Sequence, residues 1–176
     1  PIEALFTMDE ETGLTGAFGL SPDLLKGTIL LNLDSEDEGE LFIGCAGGRD
    51  TIAEMEFQYA VVKNKTAFRI DVKGLNGGHS ADDIHKGYGN ANKLIVRILH
   101  DAKIELDIDL HYIDGGNLRN AIAREAYAIV LIDNNKISDL KLLVNNLGEI
   151  FKKEYHKTEL NIKVDCESTD AVNTVF

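Results

Sequence analysis

The stretch AIAREAYAIVLIDNNKISDLKLLVNNLGEIF, residues 121–151, contains two different hydrophobic periodicities. Its first part, residues 121–132, is mostly apolar and predicts a strand. Its second part has apolar residues three and four positions apart, at Leu140, Leu143, Val144, Leu147 and Phe151. Because this spacing places one apolar stripe along a helix, we expect an amphipathic helix over residues 138–154.

The segments on either side of this stretch extend the pattern. Further elements are predicted from their periodicity, in chain order: strands at 53–62 and 66–73, a helix at 82–99, and strands at 104–110 and 160–164. Ser80 followed by Asp83 has the spacing of a capping box at the start of the first helix. The inner stripe of this helix is expected at Ala91, Leu94, Ile95 and Ile98. The order after residue 65 is β-α-β-β-α-β, which predicts an α+β domain of the split βαβ (ferredoxin-like) type. Such a domain has an antiparallel sheet with two helices on one face.

Residues 1–52 differ in charge from the rest of the chain. They contain eleven acidic and two basic side chains, against nineteen and sixteen in residues 53–176. This change lies beside the glycines of residues 44–48, so we expect one domain over 1–52 and another over 53–176. Three apolar runs in the first domain predict buried strands of an α/β sheet: Ala4–Met8, Thr28–Leu33 and Leu41–Cys45. Because a strand follows Pro1 with no lead-in, we expect a fragment of a longer protein.

Composition excludes several classes of partner. With 18 basic and 30 acidic residues the net charge is −12, which disfavours binding to nucleic acid. The longest purely apolar run, Ala126–Ile132, is far shorter than the ~20 residues needed to span a bilayer. Cys45 and Cys166 are distant in sequence and form no C-x-x-C motif, which favours a reducing, cytoplasmic location.

Acidic residues follow two of the predicted strands in the first domain. Asp9, Glu10 and Glu11 follow the first strand, and Asp34 follows the second. One interpretation is a solvated turn whose acids lie near a helix N-terminus. The other is a metal ligand beside a general base. A calcium loop starting at Asp34 is excluded because Cys45 occupies the position of the bidentate glutamate.

Two glycine-containing motifs are candidate sites in the second domain. In Gly77-Gly78-His79-Ser80, the glycines allow the imidazole and backbone to approach a ligand closely, although a surface histidine near a helix start is the simpler interpretation. The segment Gly115–Asn120 fits ordinary turn chemistry. Neither a G-x-G-x-x-G motif nor a P-loop is present, so nucleotide binding is unsupported.

Taken together, the motifs and their spacing resemble those of the aminoacyl-histidine (Xaa-His) dipeptidases. This family cleaves carnosine-type dipeptides and belongs to the co-catalytic zinc peptidase clan, with the glutamate carboxypeptidases and aminoacylases. The motifs that carry the resemblance are, in order, MDEETG (8–13), NLDSE (32–36), GCAGG (44–48), GGHS (77–80), NANK (90–93) and GGNLRNAI (115–122). The resemblance covers essentially the whole chain.

The resemblance implies a role for five residues. Glu10 is expected to be the general base, Glu11 a ligand of one zinc ion and Asp34 a ligand of a second, with manganese or cobalt as alternative metals. His79 is expected to reach the carbonyl oxygen of a dipeptide substrate from the smaller lid domain, often across a homodimer interface. Asn120 is expected near the substrate carboxylate.

The resemblance also implies that residues 1–52 are part of the metallopeptidase catalytic domain and that residues 53–176 are the lid or dimerisation domain. It further implies that metal ligands are missing from this chain. In the clan a His-x-Asp motif and a bridging Asp lie upstream, and a last metal-binding His lies downstream. We therefore expect the parent protein to be a hydrolase and the isolated fragment to be inactive. Two alternatives remain open: a split βαβ module that serves association or small-molecule binding, and a deacylase or tripeptidase of the same clan.

Overall fold

The computed structural model describes residues 2–34, 38–44, 47 and 49–176. The chain divides into two compact units, residues 1–48 and residues 49–176. Parts of the predicted acidic run and of the glycine motif at 44–48 lie outside the described residues. The assignment of residues 1–52 and 53–176 to a catalytic and a lid domain stays a prediction. Within the described ranges, no helix combines the length and the apolar character that crossing a membrane requires.

The first unit contains two short helices, α1 (Glu10–Gly13) and α2 (Thr15–Phe18). Its described residues form no strand, so the strands predicted at Ala4–Met8 and Thr28–Leu33 are wrong for this chain. The described part of the third predicted strand, residues 41–44, is likewise irregular, and Cys45 lies outside the described residues. A strand requires a neighbour whose backbone groups pair with its own. The described part of this unit supplies none.

The second unit contains six strands and two long helices. In chain order the strands are β1 (Ala60–Val61), β2 (Lys65–Lys73), β3 (Asp109–Gly115), β4 (Ala126–Asp133), β5 (Lys163–Ser168) and β6 (Thr174–Val175), and the helices are α3 (Ala91–Leu106) and α4 (Ile137–Glu154). Four strands form an antiparallel sheet in the order β3-β4-β2-β5, and β1 pairs with β6. The helices connect β2 to β3 and β4 to β5, which confirms the predicted α+β, split βαβ fold.

The core lies between one face of this sheet and both helices. Ile70 of β2 pairs with Ala128 of β4, and Phe68 pairs with Val130, so these four side chains share one face. They belong to one buried cluster with the helix residues Leu94, Ile95, Ile98, Leu140, Val144 and Phe151. Burial of each large apolar side chain contributes about 1.5–3 kcal/mol, so this cluster dominates the stability of the unit. The opposite face of the sheet carries Arg69, Asp71 and Tyr127.

Helix α3 begins later than residue 82, where the prediction placed its start. Its N-cap is Asn90, whose side-chain oxygen accepts from the backbone N–H groups of Asn92 and Lys93 at 3.0 and 3.3 Å. The preceding chain forms only a 3₁₀ turn, Ile84–Lys86, which ends at Gly87 with φ +70°. A side-chain cap and a glycine in the left-handed region therefore define the start of the helix. The buried stripe predicted for this helix is confirmed at Ala91, Leu94, Ile95 and Ile98.

Helix α3 also extends into the strand predicted at 104–110, whose last two residues, 109 and 110, begin β3. Ala102 and Leu106 continue the stripe of Ile98 at four-residue spacing, and all three are buried. The helix ends at Leu106, and its C-cap residue Asp107 has φ +54°. Alternation over a few residues is too short a signal to separate these two periods when a helix stripe and a strand overlap.

Three other predicted strands differ in their limits. The strand predicted over 53–62 is restricted to β1, that over 121–132 starts at Ala126, and that over 160–164 is displaced to β5. In each case the observed strand is limited to residues whose backbone pairs with a partner strand, and the local sequence pattern does not specify that partner.

Candidate functional site

A cleft of about 970 Å³ lies in the second unit. It is lined by the polar face of the sheet and by two loops, residues 76–79 after β2 and residues 116–125 between β3 and β4. Its lining includes the polar side chains of Arg69, Asp71, Lys73, His79, Asn120 and Arg124. His79 and Asn120, which were predicted from separate motifs, therefore line the same cleft.

A short antiparallel bridge holds the two loops together. His79 pairs with Ala121, the Ser80 N–H donates to the Asn120 carbonyl at 2.8 Å, and the Ile122 N–H donates to the Gly78 carbonyl at 2.8 Å. Because the bridge joins backbone atoms, the position of His79 relative to Asn120 does not depend on their own side chains. The segment 121–125, predicted as part of a strand, instead pairs with the loop that carries His79, residues 76–89, which we call the histidine loop.

The glycines before His79 are required by the backbone. Gly77 has φ +72° and Gly78 has φ +141°, in the region that favours glycine. A Cβ atom on Gly78 would lie 2.7 Å from a carboxylate oxygen of Asp83. That carboxylate accepts from the His79 backbone N–H at 2.6 Å, so Asp83 contacts the loop; it is the N-cap residue of the 3₁₀ turn and not of α3. Hydrogen bonding from Lys86, together with the His79 N–H, lowers the pKa of Asp83.

The local backbone also selects the tautomer of His79. Its Nδ1 lies 3.2 Å from the Ala81 nitrogen and 3.3 Å from the Asp82 nitrogen, and both of these N–H groups donate to it. The nearest Asp82 carboxylate oxygen is 3.6 Å away, beyond hydrogen-bond distance. In the neutral ring the proton therefore resides on Nε2. The side chain is 47% exposed, so this N–H can donate to a ligand in the cleft.

The sheet face of the cleft carries a stacked aromatic and ionic cluster. Arg69 donates from Nε and Nη2 to the Asp71 carboxylate at 2.7–3.0 Å, and its guanidinium lies 3.6 Å from the centre of the Tyr127 ring. The Asp71 hydrogen bonds raise the pKa of Arg69. Tyr112 stacks on Tyr127 with ring centres 5.6 Å apart. The charge of Arg69 is thus held against the sheet, while Arg124 is exposed at the cleft.

The acidic residues predicted for metal chemistry lie in the first unit. Glu10 and Glu11 form the first turn of α1, and both are exposed. Asp34 is exposed, and its backbone N–H donates to the Asn32 side chain at 3.1 Å. Within the described ranges, no group of three or more His, Cys, Asp or Glu side chains is arranged to hold a metal ion. Zinc sites commonly have four ligands, so the described residues do not fit a zinc pair by themselves.

Sequence reasoning missed two residues that hold the histidine loop. For Asp83 the Ser-x-x-Asp spacing predicts a cap of α3, whereas its carboxylate accepts from the His79 backbone N–H. For Glu159 the sequence has no signal, because an acid shortly after an amphipathic helix has the pattern of a solvated residue, whereas this one is only 3% exposed.

The fold agrees with the comparison to known families. The sequence profile of the peptidase dimerisation domain matches residues 62–159, and the chain belongs to this family. It is 47% identical over 169 residues, 96% of its length, to the cytosol non-specific dipeptidase of Escherichia coli (strain K12). The crystal structure of the aminoacylhistidine dipeptidase from Vibrio alginolyticus is 43% identical and has a TM-score of 0.74 over 97% of the chain.

These similarities confirm the predicted resemblance to aminoacyl-histidine dipeptidases. The chain spans 35% of the length of each of these two relatives. The match to the dimerisation domain covers β2, α3, β3, β4 and α4 in full. The domain that bears His79 and Asn120 is therefore the part whose family is established. The roles of Glu10, Glu11, Asp34, His79 and Asn120 stay predictions.

Proposed function

We propose that this chain forms part of a metal-dependent dipeptidase that hydrolyses Xaa-His dipeptides, with the second unit as its lid. The observation that carries the proposal is the backbone bridge that places His79 and Asn120 in one cleft. The identity to two relatives named as dipeptidases supports the reaction, and the name of one of them supports the histidine-containing substrate.

Each of the two lid residues has a role that fits its local geometry. The Nε2–H of His79 donates to the carbonyl oxygen of the scissile bond, where negative charge develops in the transition state. The Asn120 side-chain amide donates to the carboxylate of the dipeptide. Both side chains have an N–H group that can donate to an oxygen of the substrate.

The first unit contributes the acidic groups in this proposal. Glu10 takes the proton of the attacking water. Glu11 and Asp34 are ligands of two zinc ions, with manganese or cobalt as alternatives. Because these carboxylates are too few for a zinc pair, the remaining ligands belong to segments outside this chain. The isolated chain is accordingly proposed to be inactive, and the complete enzyme to be a cytoplasmic homodimer that associates through the lid.

The test compares His79→Ala with His85→Ala in the complete protein. His85 is an exposed histidine in the same loop and serves as the matched control. Removal of a donor to the oxyanion typically lowers kcat about 10²–10³-fold. We therefore expect His79→Ala to lower kcat for carnosine by this factor, and His85→Ala to keep the wild-type kcat. Equal activity of the two variants would contradict the role of His79.

A substrate panel separates the alternatives. Xaa-His dipeptides, tripeptides and N-acyl amino acids are assayed with the same protein, and fastest turnover is expected for the dipeptides. Preference for either of the other classes would identify a tripeptidase or deacylase. A protein that dimerises and cleaves none of them would be an association module.

A further inference from the structure

Glu159 is a buried acidic side chain in the turn that follows α4. It is 3% exposed, and its place is set by its own backbone N–H, which donates to the Tyr155 carbonyl at 2.8 Å. A buried carboxylate is costly unless its oxygens accept hydrogen bonds, so the partners of Glu159 indicate what it does.

Both partners are backbone groups at the ends of the histidine loop. The Asn76 N–H donates to Oε2 and the Gly89 N–H donates to Oε1, each at 2.8 Å. Asn76 lies shortly before His79, and Gly89 lies just before the N-cap of α3. One carboxylate therefore joins the entrance and the exit of residues 76–89.

Neighbouring contacts reinforce the same junction. The Asn76 side-chain amide donates to the Thr158 carbonyl at 2.6 Å, and the Thr158 hydroxyl donates to the Gly87 carbonyl at 3.2 Å. A Cβ atom on Gly89 would lie 2.4 Å from Leu75 Cδ2, so only glycine lets this backbone approach so closely. The turn after α4 thus holds the histidine loop mainly through backbone atoms of the loop.

We propose that Glu159 is a positioning residue for His79: its carboxylate clamps both ends of the 76–89 loop and keeps the imidazole in place for the substrate carbonyl. The inference rests on the proposed function of His79. A carboxylate is suited to this role because each of its two oxygens accepts from one N–H. Glutamine of the same size has one acceptor oxygen, and its amide N–H₂ would face the second donor.

The clamp is tested first in the 176-residue chain, without substrate. Amide hydrogen exchange is compared between the wild type, Glu159→Gln and the control Glu149→Gln, since Glu149 is an exposed residue of α4 that pairs with Lys152. In Glu159→Gln we expect exchange in residues 76–89 to be at least about tenfold faster, with β2 and β4 amides unchanged. Unchanged exchange in the loop would overturn the clamp.

The ¹⁵N chemical shifts of the His79 ring provide a measurement that a general loss of stability does not change. These shifts report the tautomer of the neutral ring, with Nδ1 as acceptor in the wild type and a mixed population expected in Glu159→Gln. If Glu159→Gln fails to fold, Glu159→Asp is used; it keeps the charge but is one methylene too short to reach both donors. Wild-type exchange and wild-type ¹⁵N shifts in the folded Glu159→Asp variant would overturn the proposal.

Turnover by the complete protein then tests the link to function. We expect Glu159→Gln to lower kcat for carnosine about tenfold with KM nearly unchanged, and Glu149→Gln to match the wild type. Faster loop exchange with unchanged turnover would overturn the positioning role. Absence of activity in the wild type would instead refute the proposed function, while the exchange experiment would still decide whether Glu159 clamps the loop.

Discussion

Residues 29–33 and 128–132 are both short apolar runs, ILLNL and AIVLI, but they lie in opposite environments. In β4, Ala128, Val130 and Ile132 are fully buried against the two helices. In the first unit, Leu31 is 78% and Leu33 88% exposed. The difference shows that an apolar run becomes a buried strand only where other segments of the chain supply backbone pairing and a covering layer.

The two units also differ in the kind of contribution that they are expected to make. The second unit has a packed core and a cleft shaped by backbone hydrogen bonds. The first has exposed carboxylates and little packing within its described residues. We therefore expect substitutions in the first unit to change chemistry and substitutions in the second to change stability and geometry.

The largest effect is expected for Glu10→Gln in the complete protein. Glutamine keeps the shape of the side chain but cannot accept the proton of water, so turnover should fall about 10²–10⁴-fold, which corresponds to about 3–5 kcal/mol in activation free energy. Bound zinc, measured by elemental analysis, should stay nearly unchanged, whereas Glu11→Ala should lower it. Glu40→Gln is the control in the same unit. If Glu10→Gln lowers bound zinc and Glu11→Ala leaves it unchanged, Glu11 is the base and Glu10 the ligand.

A core truncation in the second unit is expected to have the next largest effect. Phe151 is fully buried, so Phe151→Ala should lower the free energy of unfolding by about 3–5 kcal/mol. Leu31→Ala removes an exposed side chain and should change it by less than about 0.5 kcal/mol. Urea unfolding of the 176-residue chain, followed by circular dichroism at 222 nm, measures both. A large cost for Leu31→Ala would show that the first unit has a core of its own.

The smallest effect is expected for the ion pair between α3 and α4. Arg97 donates from both terminal nitrogens to Glu154 at 2.6 and 3.0 Å, and these hydrogen bonds lower the pKa of Glu154. A depressed pKa in the folded state means that the stabilisation is present above the unfolded pKa of about 4.3 and is lost as the pH falls through the folded value. Both side chains are partly exposed, so the contribution at pH 7 is at most about 1 kcal/mol.

The measurement for this pair is the difference in unfolding free energy between Glu154→Gln and the wild type at several pH values. The difference should be fully present at pH 7 and should disappear as the pH falls through the lowered pKa of Glu154 in the folded state. Glu105→Gln, at an exposed position on α3, is the control. A difference that persists at the lowest pH would mean that packing of residue 154, not its charge, stabilises the helix pair.

Much of the second unit could be predicted because its signals are local. The stripes of α3 and α4 and the order of elements follow from apolar spacing, which depends on the identity of neighbouring residues alone. The start of α3 was misplaced because Ser80 and Asp83 match a capping box, while the actual cap is Asn90 after a left-handed glycine. Its end was misplaced because the helix stripe and the alternation of a strand coincide at Leu106.

The candidate site was predicted as a set of residues but not as an arrangement. His79 and Asn120 were identified from motifs and a family resemblance. For the second unit, the sequence by itself determined the fold class, the order of the elements from β2 to β5, and which faces of the two helices are apolar, because each depends on periodicity along a short segment. Only the tertiary structure decided that β4 lies between β3 and β2, that His79 pairs with Ala121, and that Glu159 holds both ends of the histidine loop. Each of these contacts involves a backbone group whose partner is distant in sequence. Every residue other than proline has the same backbone N–H and carbonyl groups, so the sequence does not show which partner they have.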